Sequence, residues 1–206
     1  MINIRKEAEM KKRVKRFKLT TKVDISEIGD RVLLLNLYIT QAGILLLGGL
    51  FFWFQPRSLS SLFTLEPGLS IAGYGLYLAL FAVCLDIVIS NYVPAEYTDD
   101  GGINNKLFAR RPLWHIALIC LIVSFSEELL FRGGIQYYLG AYWTALLFTV
   151  IHVRYLRHWI PTGLVFLISY GLGLVYEQTG SLWTPILAHF VIDFIMGCLL
   201  RYSKEE

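Results

Sequence analysis

The chain has 206 residues, of which 55% are hydrophobic and 17% charged, with a mean hydropathy of +0.53. Enough residues for one domain with so little charge excludes an ordinary water-soluble fold. Lys and Arg exceed Asp and Glu by 19 to 16, but ten of the basic residues fall within residues 1–31, so the excess is a local arm and not a nucleic-acid-binding stripe.

The basic arm leads into residues 32–54, an uncharged run of 23 positions. About 20 apolar residues span the ~30 Å hydrocarbon core. With no small-residue cleavage site after it, the run is expected to be a retained signal anchor. Residues 55–68 carry Pro56, Ser58, Ser60, Ser61 and Pro67 and read as a short exposed loop. A second span follows over 69–93, interrupted by Asp86 and closed by Pro94. Residues 94–111 contain Asp99, Asp100, Gly101, Gly102, Asn104 and Asn105, a polar linker. Pro112 suits the first turn of a helix, and apolar runs then cover the stretch to Phe125, 141–153, 159–176 and 182–200. The expected fold is therefore an all-α, polytopic transmembrane bundle of about six membrane helices. The alternation of a membrane barrel is missing. Cys84, Cys120 and Cys198 lie inside apolar runs without C-x-x-C spacing, which argues against disulfides or a thiolate zinc site.

Cytoplasmic loops are enriched in Lys and Arg. Six crossings with the N-terminus inside put 17 of the 19 basic residues in the cytoplasm, leaving Arg57 outside and Arg132 in the membrane. Both termini are expected to be cytoplasmic.

Charged groups at bilayer depth persist when they pair or carry function, and three clusters stand out. In the first, Arg132 lies one helical turn after Glu128 and can pair with it at the favourable i, i+4 spacing, leaving Glu127 to face a cavity. The second is Phe148 with His152, four apart on one helix. The third is His189 with Asp193, one turn after a kink expected at Pro185. At ~1.5 Å per residue, Glu127 sits ~22 Å in from Pro112, while His152, His189 and Asp193 lie ~16, ~10 and ~16 Å in from the opposite side. All four share a layer about 8 Å thick within a ~30 Å core. Alone, His152 and Phe148 are packing residues. His115 and His158 read as interface residues, Asp86 as a polar contact, and the Gly-x-Gly spacings at 73–75 and 171–173 as helix packing.

A carboxylate and two histidines in a dehydrated cavity suit peptide hydrolysis in two ways. The glutamate can act as general base on water while a histidine steadies the oxyanion. Alternatively, Glu127, His152 and His189 can hold zinc or another divalent metal that acidifies that water. Neither G-x-S-x-G nor H-E-x-x-H occurs.

In this order, Glu127-Glu128-x-x-x-Arg132, Phe148-x-x-x-His152 and His189-x-x-x-Asp193 resemble the three motifs of the CPBP (CAAX protease and bacteriocin-processing, or Abi) family. The resemblance covers residues 112–200. It implies a CAAX-protease-like intramembrane endopeptidase, either a metallopeptidase or a metal-free glutamate enzyme. Glu127 and His152 would activate water, and His189 with Asp193 would hold the oxyanion or complete the polar shell. Glu128 with Arg132 would be a structural ion pair. Relatives commonly carry Asn at the last position, so Asp193 has to be protonated, paired with His189 or metal-bound. The implied substrate is a membrane-associated peptide or protein segment, met in the lipid bilayer of a bacterial plasma membrane. The chain then divides into a cytoplasmic arm (1–31), two membrane helices (32–93), a linker (94–111), a catalytic core (112–200) and a tail (201–206). The rival reading is a nonenzymatic immunity or scaffold protein, or a proton-coupled carrier. A carrier predicts polar machinery in both halves, whereas here it is confined to the second.

Overall fold

The computed structural model describes residues 28–65, 68–94, 97 and 102–202. The arm up to Glu27, Pro67, Asp99, Asp100, Gly101 and the tail from Ser203 lie outside the described residues. Among the described residues every regular element is helical: α1 (Asp30–Trp53), α2 (Leu59–Leu62), α3 (Gly68–Tyr92), α4 (Ile103–Phe108), α5 (Leu113–Glu128), a π-helical segment (Leu129–Ile135), α6 (Gln136–Ile151), α7 (Trp159–Thr179) and α8 (Trp183–Tyr202). In hydrocarbon each backbone N–H and C=O must find a partner within its own segment, and helices achieve this. The chain is an integral membrane helix bundle.

Among the described residues five helical stretches are long and apolar enough to cross a membrane: α1, α3, the 39-residue run Leu113–Ile151, α7 and α8. The sequence counts six because it separates residues 112–125 from 141–153. The structure joins these two through the π segment without a polar loop. The joined run is not straight, since Gly140 takes φ 72° and ψ 171°. The rings of Phe131 and Phe148 stand 4.8 Å apart, whereas an unbroken helix would hold them roughly 25 Å apart. The chain therefore doubles back at Gly140, a left-handed φ that glycine adopts without steric cost, and α6 returns alongside the segment that precedes it.

The connections gather at two ends. At one end the start of α1 packs through Leu33, Leu34 and Leu37 on Leu107, Phe108 and Ile116. Tyr38 Oη bonds His115 Nε2 at 2.9 Å, Asn104 donates to Tyr155 at 3.2 Å, and Arg201 donates to the Arg111 carbonyl. At the other end, Leu182 N–H donates to the Leu62 carbonyl at 2.7 Å and Ser181 to that of Thr64 at 2.7 Å.

Two local expectations are corrected. Pro185 does not kink a helix, because α8 begins at Trp183 and puts Pro185 in its first turn, where no N–H is needed. His152 does not share a helix with Phe148. It follows the last residue of α6, with φ −79° and ψ 53°.

α1 is the most peripheral helix and buries only Gln41 and Gly48. A Cβ on Gly48 would lie 3.1–3.3 Å from the Leu129–Leu130 backbone. Such small-residue contacts let helices approach closely in lipid, where no hydrophobic force drives them together.

Candidate functional site

Glu127 and Glu128 close α5, and the π segment starting at Leu129 is buried along its whole length. Single π turns inside α-helices often mark functional positions. This one offsets the backbone ladder, and the Gly133 and Gly134 carbonyls take their hydrogen bonds from elsewhere. Gln55 Nε2 donates to both, at 3.1 and 3.0 Å, and Arg57 Nη2 donates to Gly133 at 3.0 Å. Arg57 also donates to the Gln55 side-chain oxygen Oε1 and to the Tyr176 hydroxyl, and lies 4.4 Å over the Tyr137 ring. These bonds fix the segment that carries Arg132.

The two adjacent glutamates keep different company. Glu128 is fully buried, and its Oε1 accepts from Arg132 Nη1 at 3.0 Å and lies 2.7 Å from His189 Nδ1. Arg132, equally buried, donates through Nη2 to the Ser169 carbonyl at 2.7 Å and its hydroxyl at 2.9 Å. Its guanidinium also sits 5.3 Å from the Phe148 ring. The other nitrogen of His189, Nε2, lies 3.4 Å from Asp193 Oδ2. A continuous charge chain thus runs Arg132, Glu128, His189, Asp193, from full burial at its inner end to a side-chain exposure of 34% at Asp193.

Glu127 stands apart from this chain. Its Oε1 accepts a 3.1 Å bond from Gln41 Nε2, contributed by α1. His189, His152 and Asp193 lie within electrostatic range of it. The partly exposed His152 turns Nδ1 onto the Phe148 carbonyl at 2.7 Å and stacks on the Phe148 ring at 4.3 Å. When Nδ1 carries the proton, Nε2 is the free basic nitrogen. All seven motif residues therefore occupy one region, but it is Glu128 that meets His189 and Glu127 that meets Gln41. An apolar cavity lined by Leu50, Phe51, Phe54 and Tyr138 includes none of these groups in its lining.

A metal set of Glu127, His152 and His189 does not fit this arrangement. Among the described residues no three His, Cys, Asp or Glu side chains are grouped to hold an ion. Both nitrogens of His189 already face carboxylates, so ligation would first have to break one of those contacts.

Gln41, Ser126, Ser169, Gln55 and Arg57 are polar participants that motif reading does not find. The signal for Gln41 was present, as a side-chain amide midway along an apolar run. Ser126 and Ser169 give none, because serine is tolerated anywhere in a membrane helix when it bonds its own backbone.

Residues 109–195 match the family model described as type II CAAX prenyl endopeptidase Rce1-like. The chain is 38% identical over 155 residues to the uncharacterized protein YpbD of Bacillus subtilis (strain 168), an alignment covering 75% of this chain and 82% of the relative. No solved structure matches it. The matched interval 109–195 contains all three motifs but excludes Gln41, Gln55 and Arg57.

Proposed function

The chain belongs to the Rce1-like family of CAAX-protease-type membrane proteins, and from that premise we propose that it is an intramembrane endopeptidase in which Glu127 is the general base. The observation carrying this reading is the unequal fate of the paired glutamates. Glu128 is engaged by a guanidinium and an imidazole, and a carboxylate so neutralised is a poor base. Glu127 is engaged at one oxygen by a neutral amide, which orients it without cancelling its charge.

In the proposed reaction Oε2 of Glu127 removes a proton from a water molecule, and the hydroxide adds to the scissile carbonyl carbon. The tetrahedral intermediate collapses with cleavage of the C–N bond, and Glu127 returns its proton to the departing amine. His152 orients the water through Nε2. His189 provides the positive side of the site when protonated, donating through both nitrogens. Its contact with Asp193 supports the paired state for that residue, which limits the repulsion between an ionised Asp193 and the developing oxyanion.

Residues 112–200 would form the catalytic core, with 32–93 packed around it. The substrate would be a peptide or protein segment presented within or at the bilayer. Comparing membrane peptides from cells carrying the native protein and Glu127→Gln tests this directly. Cleavage products present only with the native protein are expected. Identical peptide sets with equal protein levels would sink the reading.

A further inference from the structure

A side-chain amide in the interior of a membrane protein is costly unless both its ends are bonded. Gln41 is only 7% exposed. Its Nε2 donates to Glu127 Oε1 at 3.1 Å, and its Oε1 accepts from the Ser126 hydroxyl at 2.5 Å. Ser126, 2% exposed, also approaches the Ile122 and Val123 carbonyls one turn back, at 2.7 and 3.2 Å. With its one proton directed to Gln41 Oε1, the Ser126 hydroxyl, carried by α5, anchors the amide, and the amide anchors the carboxylate.

We propose that Gln41, held by Ser126, is the positioning residue of the Glu127 base, contributed by a helix outside the family-matched residues. The inference rests on the reading above, in which Glu127 activates water. Pinning Oε1 fixes the carboxylate plane and leaves Oε2 as the oxygen that meets the water. A water-activating carboxylate must be held close to its attack geometry, since a misplacement of about 1 Å can cost on the order of 100-fold in rate. An arginine at position 41 would hold the carboxylate equally firmly, but as an ion pair that removes its basicity. A leucine would fill the space and hold nothing. A neutral donor on a short, doubly bonded tether meets both requirements.

The test uses full-length protein in lipid nanodiscs. In glutamate-13C-labelled protein, the carboxyl resonance that disappears in Glu127→Gln should shift in Gln41→Met and, by less, in Ser126→Ala. This readout needs no substrate, so it stands even if the proteolytic reading fails. With a quenched-fluorescent peptide carrying the cleavage sequence found in the membrane-peptide comparison, Gln41→Met should lower kcat by roughly 10- to 100-fold and leave KM within about twofold. Ser126→Ala should move kcat in the same direction. The double variant should be no worse than Gln41→Met alone, because the hydroxyl acts through the amide. If Gln41→Met does not accumulate, Ser126→Ala carries the test, since it leaves the amide in place. An unmoved Glu127 resonance, or a folded Gln41→Met protein with native kcat, overturns the proposal. Additive losses from the two substitutions would overturn the role given to Ser126.

Discussion

At the residue scale, the adjacent glutamates present the same functional group with opposite expected consequences. Removing the charge of Glu128 leaves Arg132 without its ion pair at zero exposure and takes the carboxylate from His189 Nδ1. Breaking one partner of a buried pair costs about 3–5 kcal/mol, comparable to a large part of a small protein's stability. Glu128→Gln is therefore expected to lower accumulation in the membrane and the thermal midpoint of the purified protein. Glu127→Gln removes no ion-pair partner, and a glutamine there can still bond Gln41. It should accumulate normally and be inactive. Equal loss of both proteins on immunoblots of membrane fractions would contradict this division of labour.

At the scale of elements, the site depends on how closely α1 approaches the π segment. Gly48 sets that distance, because any side chain there meets the Leu129–Leu130 backbone, which cannot rotate away as a side-chain tip could. Gly48→Leu is expected to cost at least about 1–3 kcal/mol through overpacking. It should also separate Gln41 from Glu127, so activity falls further than Gln41→Met alone would lower it. Gly49→Leu, one position on, meets open space and serves as the control. Native activity in a stable Gly48→Leu protein would show that α1 does not need this contact. The helices themselves were legible from apolar run length, since hydrocarbon leaves the backbone no other way to satisfy its polar groups. The fold-back at Gly140 was legible only as a gap between two apolar runs. The π segment was invisible, because no spacing in Leu129–Ile135 distinguishes a π from an α hydrogen-bond ladder, and its carbonyl partners, Gln55 and Arg57, come from a loop distant in sequence.

At the scale of the molecule, two independent features agree. The loops 102–111 and 152–158, which carry Lys106, Arg110, Arg111, Arg154 and Arg157, lie with the start of α1 and the end of α8 at one end of the bundle. Arg57 lies at the opposite end, spent on internal carbonyls and a tyrosine. By the positive-inside tendency the first end is expected to face the cytoplasm. Reporters fused after Glu206 or inserted at Asn105 should be cytoplasmic, and one at Ser60 external. Opposite sides for the first two would overturn the arrangement. The grouping of the motif residues was readable from depth along each helix, but their pairing was not. A count of rise per residue fixes height and leaves azimuth open, so His189 could be assigned to the layer of both glutamates without deciding which one it meets. Gln41 escaped for the same reason: its partner lies on another helix, and no spacing rule links the two.

The short return leg after Gly140 has a consequence for the surrounding lipid. Residues 141–151 rise about 16 Å, roughly half of a ~30 Å hydrocarbon core. Tyr137, Tyr138, Tyr142 and Trp143 stand exposed around its outer turn, and such aromatic groups settle at headgroup level. Acyl chains bordering this leg have to shorten or splay to follow it, a deformation costing fractions of a kcal/mol per Å of mismatch. A bilayer that follows this leg would be thinned beside His152, and thinning of that kind would lower the barrier that bulk water must cross to reach the interior. The endopeptidase proposed above needs its second reactant delivered into oil, and a truncated helix at this place would draw the aqueous phase toward it.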